Sequence, residues 1–165
     1  MKVLCWAVAA ATLALVTLSA GPAMAEARQP ETGRFSFTET FVVQPGEGGS
    51  CPFPISAEEQ KRGTFQVFFN DSGEPIRVMV HTVWFGTGTA NGKSVSEHGA
   101  LTETFNLVEG TSWEAGMIAN RTPHGGVVIH DVGRLAFDAN GNLTMMAGPH
   151  QGFTGDTAEL CAALS

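Results

Sequence analysis

The chain has 165 residues, with 9 Lys and Arg against 16 Asp and Glu and a formal net charge of -7. That length suits one domain with a real core and is too short for two. The acidic balance argues against nucleic acid or an anionic bilayer as partner, because both would be repelled.

Residues 1–25 read as a secretory signal peptide. Lys2 leads an apolar run from Val3 to Leu18, followed by Gly21-Pro22 and the cleavage pattern Ala23-Met24-Ala25. Gly21-Pro22 breaks the run before it makes a convincing membrane span. Cys5 falls inside the run, and no cysteine follows the cleavage site to take a lipid. The mature chain is expected to begin near Glu26, to be secreted, and to carry a net charge of about −8. Cys51 and Cys161 then remain, and export makes a disulfide between them the natural reading. Such a bridge closes a loop worth roughly 4–5 kcal/mol in the chain-entropy model. The rival reading is two free thiols or a metal pair, for which no further ligands stand nearby in a recognised spacing.

Residues 26–33 are polar, contain Pro30, and read as a flexible lead to a single domain over 34–165. Arg34 to Val43 alternates, with Phe35, Phe37, Phe41 and Val43 on one face, as a half-buried strand does. Gln44 to Ser50 is a loop. Cys51 to Ala57 is a short strand with Phe53 and Ile55 inward, and its prolines suit an edge or irregular position. Glu58 to Arg62 is ambiguous and compatible with a helical turn. Thr64–Asn70 and Pro75–Phe85 form a hairpin around Asp71-Ser72-Gly73-Glu74, in which Phe69 facing Ile76 sets Val67 against Val78 and Phe65 against Val80. Gly86 to Gly99 reads as a long loop, with room for a short strand. Ala100–Leu107 and Ser112–Ala119 pair next; opposing Leu107 with Trp113 and Phe105 with Ala115 matches like with like. Gly125 to Ala147 holds a long apolar strand and a second strand around Asp138-Ala139-Asn140-Gly141-Asn142. A three-residue loop with Gly141 in a left-handed bulge position opposes Phe137 with Leu143 and Leu135 with Met145. Gly148 to Gly155 is loop, and Thr157 to Leu164 a short helix.

The expected fold is therefore all-β: an antiparallel β-barrel, or barrel-like sandwich, of eight or nine strands with a short C-terminal helix. Several strands are apolar on both faces and little chain is left to cover them, which favours the barrel.

The candidate chemistry starts from two strands. His81 shares a face with Arg77, Met79, Val83 and Phe85; His130 shares one with Val128, Val132, Arg134 and Ala136. If those faces meet inside a barrel, His81, His130, Arg77 and Arg134 line a cavity suited to an anionic or carboxylate-bearing ligand. If they face outward, they simply touch water. His130 and Asp131 point to opposite faces, as strand neighbours do. Glu103, with Leu101, Phe105 and Leu107, and Asp131, among Val127, Ile129, Leu135 and Phe137, are carboxylates on apolar faces. They are candidates for an acid/base pair with raised pKa, or for partners of Arg77 or Arg134.

Other chemistries find less support. His124 and His130 are six apart with no His-x-His pair, so no metal site or cofactor is expected. Asp71-Ser72-Gly73 after an apolar strand has the look of an aspartic protease, but Glu74-Pro75 follows at once, as in a hairpin turn. No Gly-x-Ser-x-Gly occurs. Asn70-Asp71-Ser72, Asn120-Arg121-Thr122 and Asn142-Leu143-Thr144 match the N-glycosylation triplet. The absence of tyrosine weakens a carbohydrate-stacking or antibody-like role.

From Gly126 to Asn142, with Ala147-Gly148-Pro149-His150, Cys51-Pro52-Phe53-Pro54 and Leu160-Cys161-Ala162-Ala163-Leu164, the chain resembles uncharacterised small secreted proteins of high-GC Gram-positive bacteria. The resemblance implies no activity and carries over no catalytic residue. Lipocalin-like and dirigent-type barrels share only an architecture. Three functions follow as expectations: a secreted barrel binding a small, partly apolar and acidic molecule; a cofactor-independent isomerase or cyclase using Glu103, Asp131 or His130; and an envelope or host-interaction module without a pocket.

Overall fold

The computed structural model describes residues 28–47, 51–122, 126–154 and 157–165. The expected signal peptide, Cys5 and His124 lie outside the described residues. Seven strands follow in order: β1 Glu31–Val43, β2 Ile55–Phe69, β3 Pro75–Ala90, β4 Lys93–Asn106, β5 Ser112–Arg121, β6 Val127–Phe137 and β7 Leu143–Ala147. Two helices end the chain, α1 Gln151–Thr154 and α2 Ala158–Leu164. Each strand pairs antiparallel with the next in one sheet, β1-β2-β3-β4-β5-β6-β7.

The all-β antiparallel class is as expected, but the sheet does not close into a barrel, and it has seven strands rather than eight or nine. β1 and β7 are its two edges. β7 offers five residues against thirteen in β1. Beyond it the chain stays with β6: the Val132 N–H donates to the Pro149 carbonyl at 2.8 Å, and Asp131 bridges to His150. From there the chain turns into α1, where the sequence suggested loop.

The strand count fell because β2, β3 and β4 are longer than their composition suggests. Glu58 to Arg62 is not a helical turn but the middle of β2, where Lys61 lies opposite Phe37 and reaches the Glu39 carboxylate on β1. Gly86 to Gly99 is not a loop: β3 runs to Ala90 and β4 starts at Lys93. Asn91 and Gly92, both at positive φ (52° and 76°), form the two-residue turn between them. β1 begins at Glu31, three residues before the strand start that the sequence suggested at Arg34.

The turns at the opposite end share one device. Asn70 Oδ1 accepts the N–H groups of Ser72 and Glu74, while Asp138 Oδ1 accepts those of Asn140 and Asn142. A side-chain oxygen thus holds each loop before the strands pair. In both, a glycine three residues on (Gly73, Gly141) takes a left-handed φ. The Asp138 loop is the three-residue bulged turn that the sequence implied, with Phe137 opposite Leu143. The register then slips, so Leu135 faces Met146 rather than Met145.

Cross-strand pairing sorts every strand residue onto one of two faces. The inner face carries Phe41, Ile55, Trp84, Val95, Ile129 and Leu135 and is covered at one end by α2. There the core forms: Cys51, Ile55, Val95 and Leu164 are buried together, with Val43, Phe53, Val128 and Leu160 packed around them. Cys51 and Cys161 are bridged, as expected, and Asn91 Nδ2 donates to the Leu164 carbonyl at 2.9 Å. Both contacts tie α2 to the sheet.

Candidate functional site

The four residues first singled out for ligand binding do share a face, but it is the outer one. Arg77, His81, His130 and Arg134 are all exposed. His81 Nδ1 lies 3.1 Å from Thr102 Oγ1, Arg77 lies over the Phe68 ring at 4.0 Å, and Arg134 lies over Trp113 at 4.6 Å. They line no enclosed space. Glu103 and Asp131, by contrast, both stand on the inner face.

Glu114, which the sequence reading passed over, joins them there. β4 and β5 pair with Glu103 directly opposite Glu114. The expected register set Leu107 against Trp113; the structure sets Thr104 against Trp113. The reason is a four-residue loop, in which the Asn106 N–H donates to the Thr111 carbonyl and Gly110 N–H donates back to Asn106. Shifting the pairing by an odd number turns the other row of β5 inward. Trp113 goes to the outer face under Arg134, and Glu114 comes in.

Burial pushes the Glu103 carboxyl above the ordinary range, with the charge of Lys61 opposing it. Burial likewise raises Glu114, reinforced by the negative charges of Glu103 and Asp131 and opposed by His150. Asp131 Oδ1 lies 2.8 Å from Nδ1 of buried His150, whose Nε2 is 3.1 Å from the Ala147 carbonyl. His150 thus closes the sheet edge against β6. Sequence could not flag it, because it arrives from a Gly-Pro loop nineteen residues away.

Two further groups occupy the inner face. Lys61 bridges Glu39 and Glu59, with 2.9 Å to the latter. Burial works to lower the lysine's pKa, but the hydrogen bonds to both carboxylates outweigh it and hold it above the ordinary value. Glu59, 7% exposed, is raised by burial despite the Lys61 hydrogen bond. Beside it Glu97 is held by two donors: Trp84 Nε1 at 2.5 Å and Asn120 Nδ2 at 3.0 Å. Trp84 can lie flat because its partner on β4 is Gly99; a Cβ there would sit 2.1 Å from the indole. Asn120 is thereby buried, which turns the acceptor side chain of one of the three glycosylation triplets inward.

These groups border a cavity of about 210 Å³ between the sheet and α2. Phe41, Val43, Ile55, Val95, Leu160 and Leu164 give it apolar walls, and Glu59, Glu97 and Asn120 its polar side. Residues from five successive strands reach this one space, so the sheet curls around it. Among the described residues no three His, Cys, Asp or Glu side chains converge to hold a metal ion, and no helix is long and apolar enough to cross a membrane. Compared with known protein families, curated proteins and solved structures, the chain matches none.

Proposed function

We propose that this chain is a secreted, non-enzymatic binding protein that holds a small, partly apolar molecule in the cavity between the inner face and α2. The observation that carries this reading is the cavity itself: apolar on the α2 side, bounded by carboxylates and an amide on the other. A small site of this kind gains affinity from apolar burial and orientation from a few fixed polar groups. Its polar side changes the expected ligand. Glu59 and Glu97 favour a molecule whose polar end donates hydrogen bonds or carries positive charge, rather than an acid met by Arg77 or Arg134.

Calorimetric titration with octylamine, octanol and octanoate tests this. Saturable binding is expected for the amine or the alcohol, weaker for the carboxylate. Ala57→Leu, which fills the cavity wall, should abolish it without lowering the melting temperature. No binding of any of the three by the native protein would sink the proposal.

A second reading, a cofactor-independent isomerase or cyclase, draws on Glu103 and Glu114, whose carboxyls burial raises above the ordinary value, the direction a general acid needs. Conversion of a bound ligand by the native protein, lost in Glu114→Gln with binding unchanged, would select it over the carrier.

A further inference from the structure

The charges of the sheet are sorted by face. Five of the six arginines (Arg34, Arg62, Arg77, Arg121 and Arg134) stand on the outer face, and all five are exposed. Among the described strand residues Glu58 is the one carboxylate on that side. Glu39, Glu59, Glu97, Glu103, Glu114 and Asp131 all turn inward. Among the described residues none of the five arginines pairs with a carboxylate, so their donors remain available.

Their arrangement follows from the register. Arg34, Thr64, His81, Thr102, Ala115 and Arg134 form one continuous row across β1 to β6. At the ordinary strand separation, Arg34 and Arg134 are about 24 Å apart along it, with His81 between. Arg62 lies one row away on one side, Arg77 two rows away on the other. Between the cations the exposed residues Ser36, Thr38, Gln60, Gln66 and Thr87 offer hydroxyls and amides, while Val83, Ala100, Met117 and Val132 form an apolar row beside them.

We infer that the outer face is a docking surface for a carboxylate-bearing polysaccharide running across the strands. Guanidinium groups match carboxylates as two-donor forks, and the intervening hydroxyls and amides match sugar hydroxyls. Two of the forks are preorganised, since Arg77 lies on Phe68 and Arg134 on Trp113. The same contacts disfavour single-stranded nucleic acid, which needs open rings on which to stack. Phe68 and Trp113 are covered by guanidinium groups, and Phe85 is stacked with His98 at 4.7 Å. Net negative charge does not defeat the docking. The opposing carboxylates lie across the sheet, on the order of one Debye length away in physiological salt, whereas the guanidinium contacts are direct.

The test is retention of the full chain on immobilised polygalacturonate, with dextran, poly-dT and phosphatidylglycerol vesicles in parallel. Binding to polygalacturonate is expected, weakening as salt rises, with none to dextran. Arg34→Gln combined with Arg134→Gln should weaken it about tenfold. Lys93→Gln, which removes one positive charge at the β3–β4 turn, should alter it by less than about twofold. Failure to bind polygalacturonate overturns the inference, whether or not poly-dT or vesicles bind, and so does an equal loss in Lys93→Gln.

Discussion

Glu103 and Glu114 face each other directly across β4 and β5, two carboxyls in a cross-strand pair. Burial is the main cost of ionising either, and at Glu114 the charge of Glu103 adds to it. Both therefore titrate above the ordinary glutamate value of 4.5. Folding favours their protonated forms, so the stability they contribute is full below that value. It is lost as the pH rises through the raised folded-state values. Glu114→Gln is expected to stabilise the protein near pH 7 by about 0.5–1 kcal/mol, with the gain vanishing well below pH ~4. Denaturation midpoints at the two pH values check this. A destabilised variant at neutral pH would mean that the pair is held by partners stronger than its own repulsion.

Trp84 depends on the absence of a side chain at Gly99. A Cβ 2.1 Å from the indole must push the ring off the sheet and away from Glu97. Gly99→Ala should cost about 1–3 kcal/mol, as overpacking does, and shift the tryptophan fluorescence. In a Trp84→Leu background the same substitution should cost much less. Equal costs in both backgrounds would refute the contact.

The same glycine shows why part of the fold was not legible in the sequence. Gly86, Gly88 and Gly99 made this stretch look like loop, because composition cannot tell a glycine that frees the backbone from one that makes room for a neighbour. Here Gly86 and Gly99 lie under Glu59 and Trp84. What local chemistry encodes was readable: the Val67–Val78 and Phe65–Val80 pairs, the Gly141 turn and the Cys51–Cys161 bridge. The β4–β5 register was not, because matching Leu107 with Trp113 ignored Arg134, a partner for the indole from another strand. That error hid Glu114, and with it the inner carboxylate group. Closure failed for a related reason: apolar residues on both faces suggested a barrel, yet outer aromatics are covered by arginines rather than by protein core.

Gly141 offers a cleaner test of backbone geometry. Its φ is 77°, and a Cβ there would meet nothing within 4 Å. Any cost of substitution is therefore conformational. Gly141→Val should lose about 1 kcal/mol or more, since a β-branched residue resists positive φ. Gly141→Asn should lose less, because asparagine tolerates this region. Urea midpoints for the pair decide it, and equal losses would point to something other than φ.

Cys51–Cys161 links the segment leading into β2 to α2 across 110 residues of chain. Cross-linking so long a loop restrains the unfolded chain by about 4–5 kcal/mol. The bridge also seats Leu164 over Val95 and Ile55, where it closes the cavity. Replacing both cysteines with alanine should therefore do two separable things. It should lower global stability by an amount approaching that estimate, seen in the denaturation midpoint. It should also loosen α2 first, seen as faster hydrogen exchange at Leu160 to Leu164 under conditions where β3 and β4 stay protected. If α2 and the central strands lose protection together, the helix is an integral part of the cooperative core. If α2 alone opens, it is a cap that the disulfide holds over the cavity, and ligand affinity should fall with it. Two free sulfhydryls in the native protein would remove the basis for both expectations.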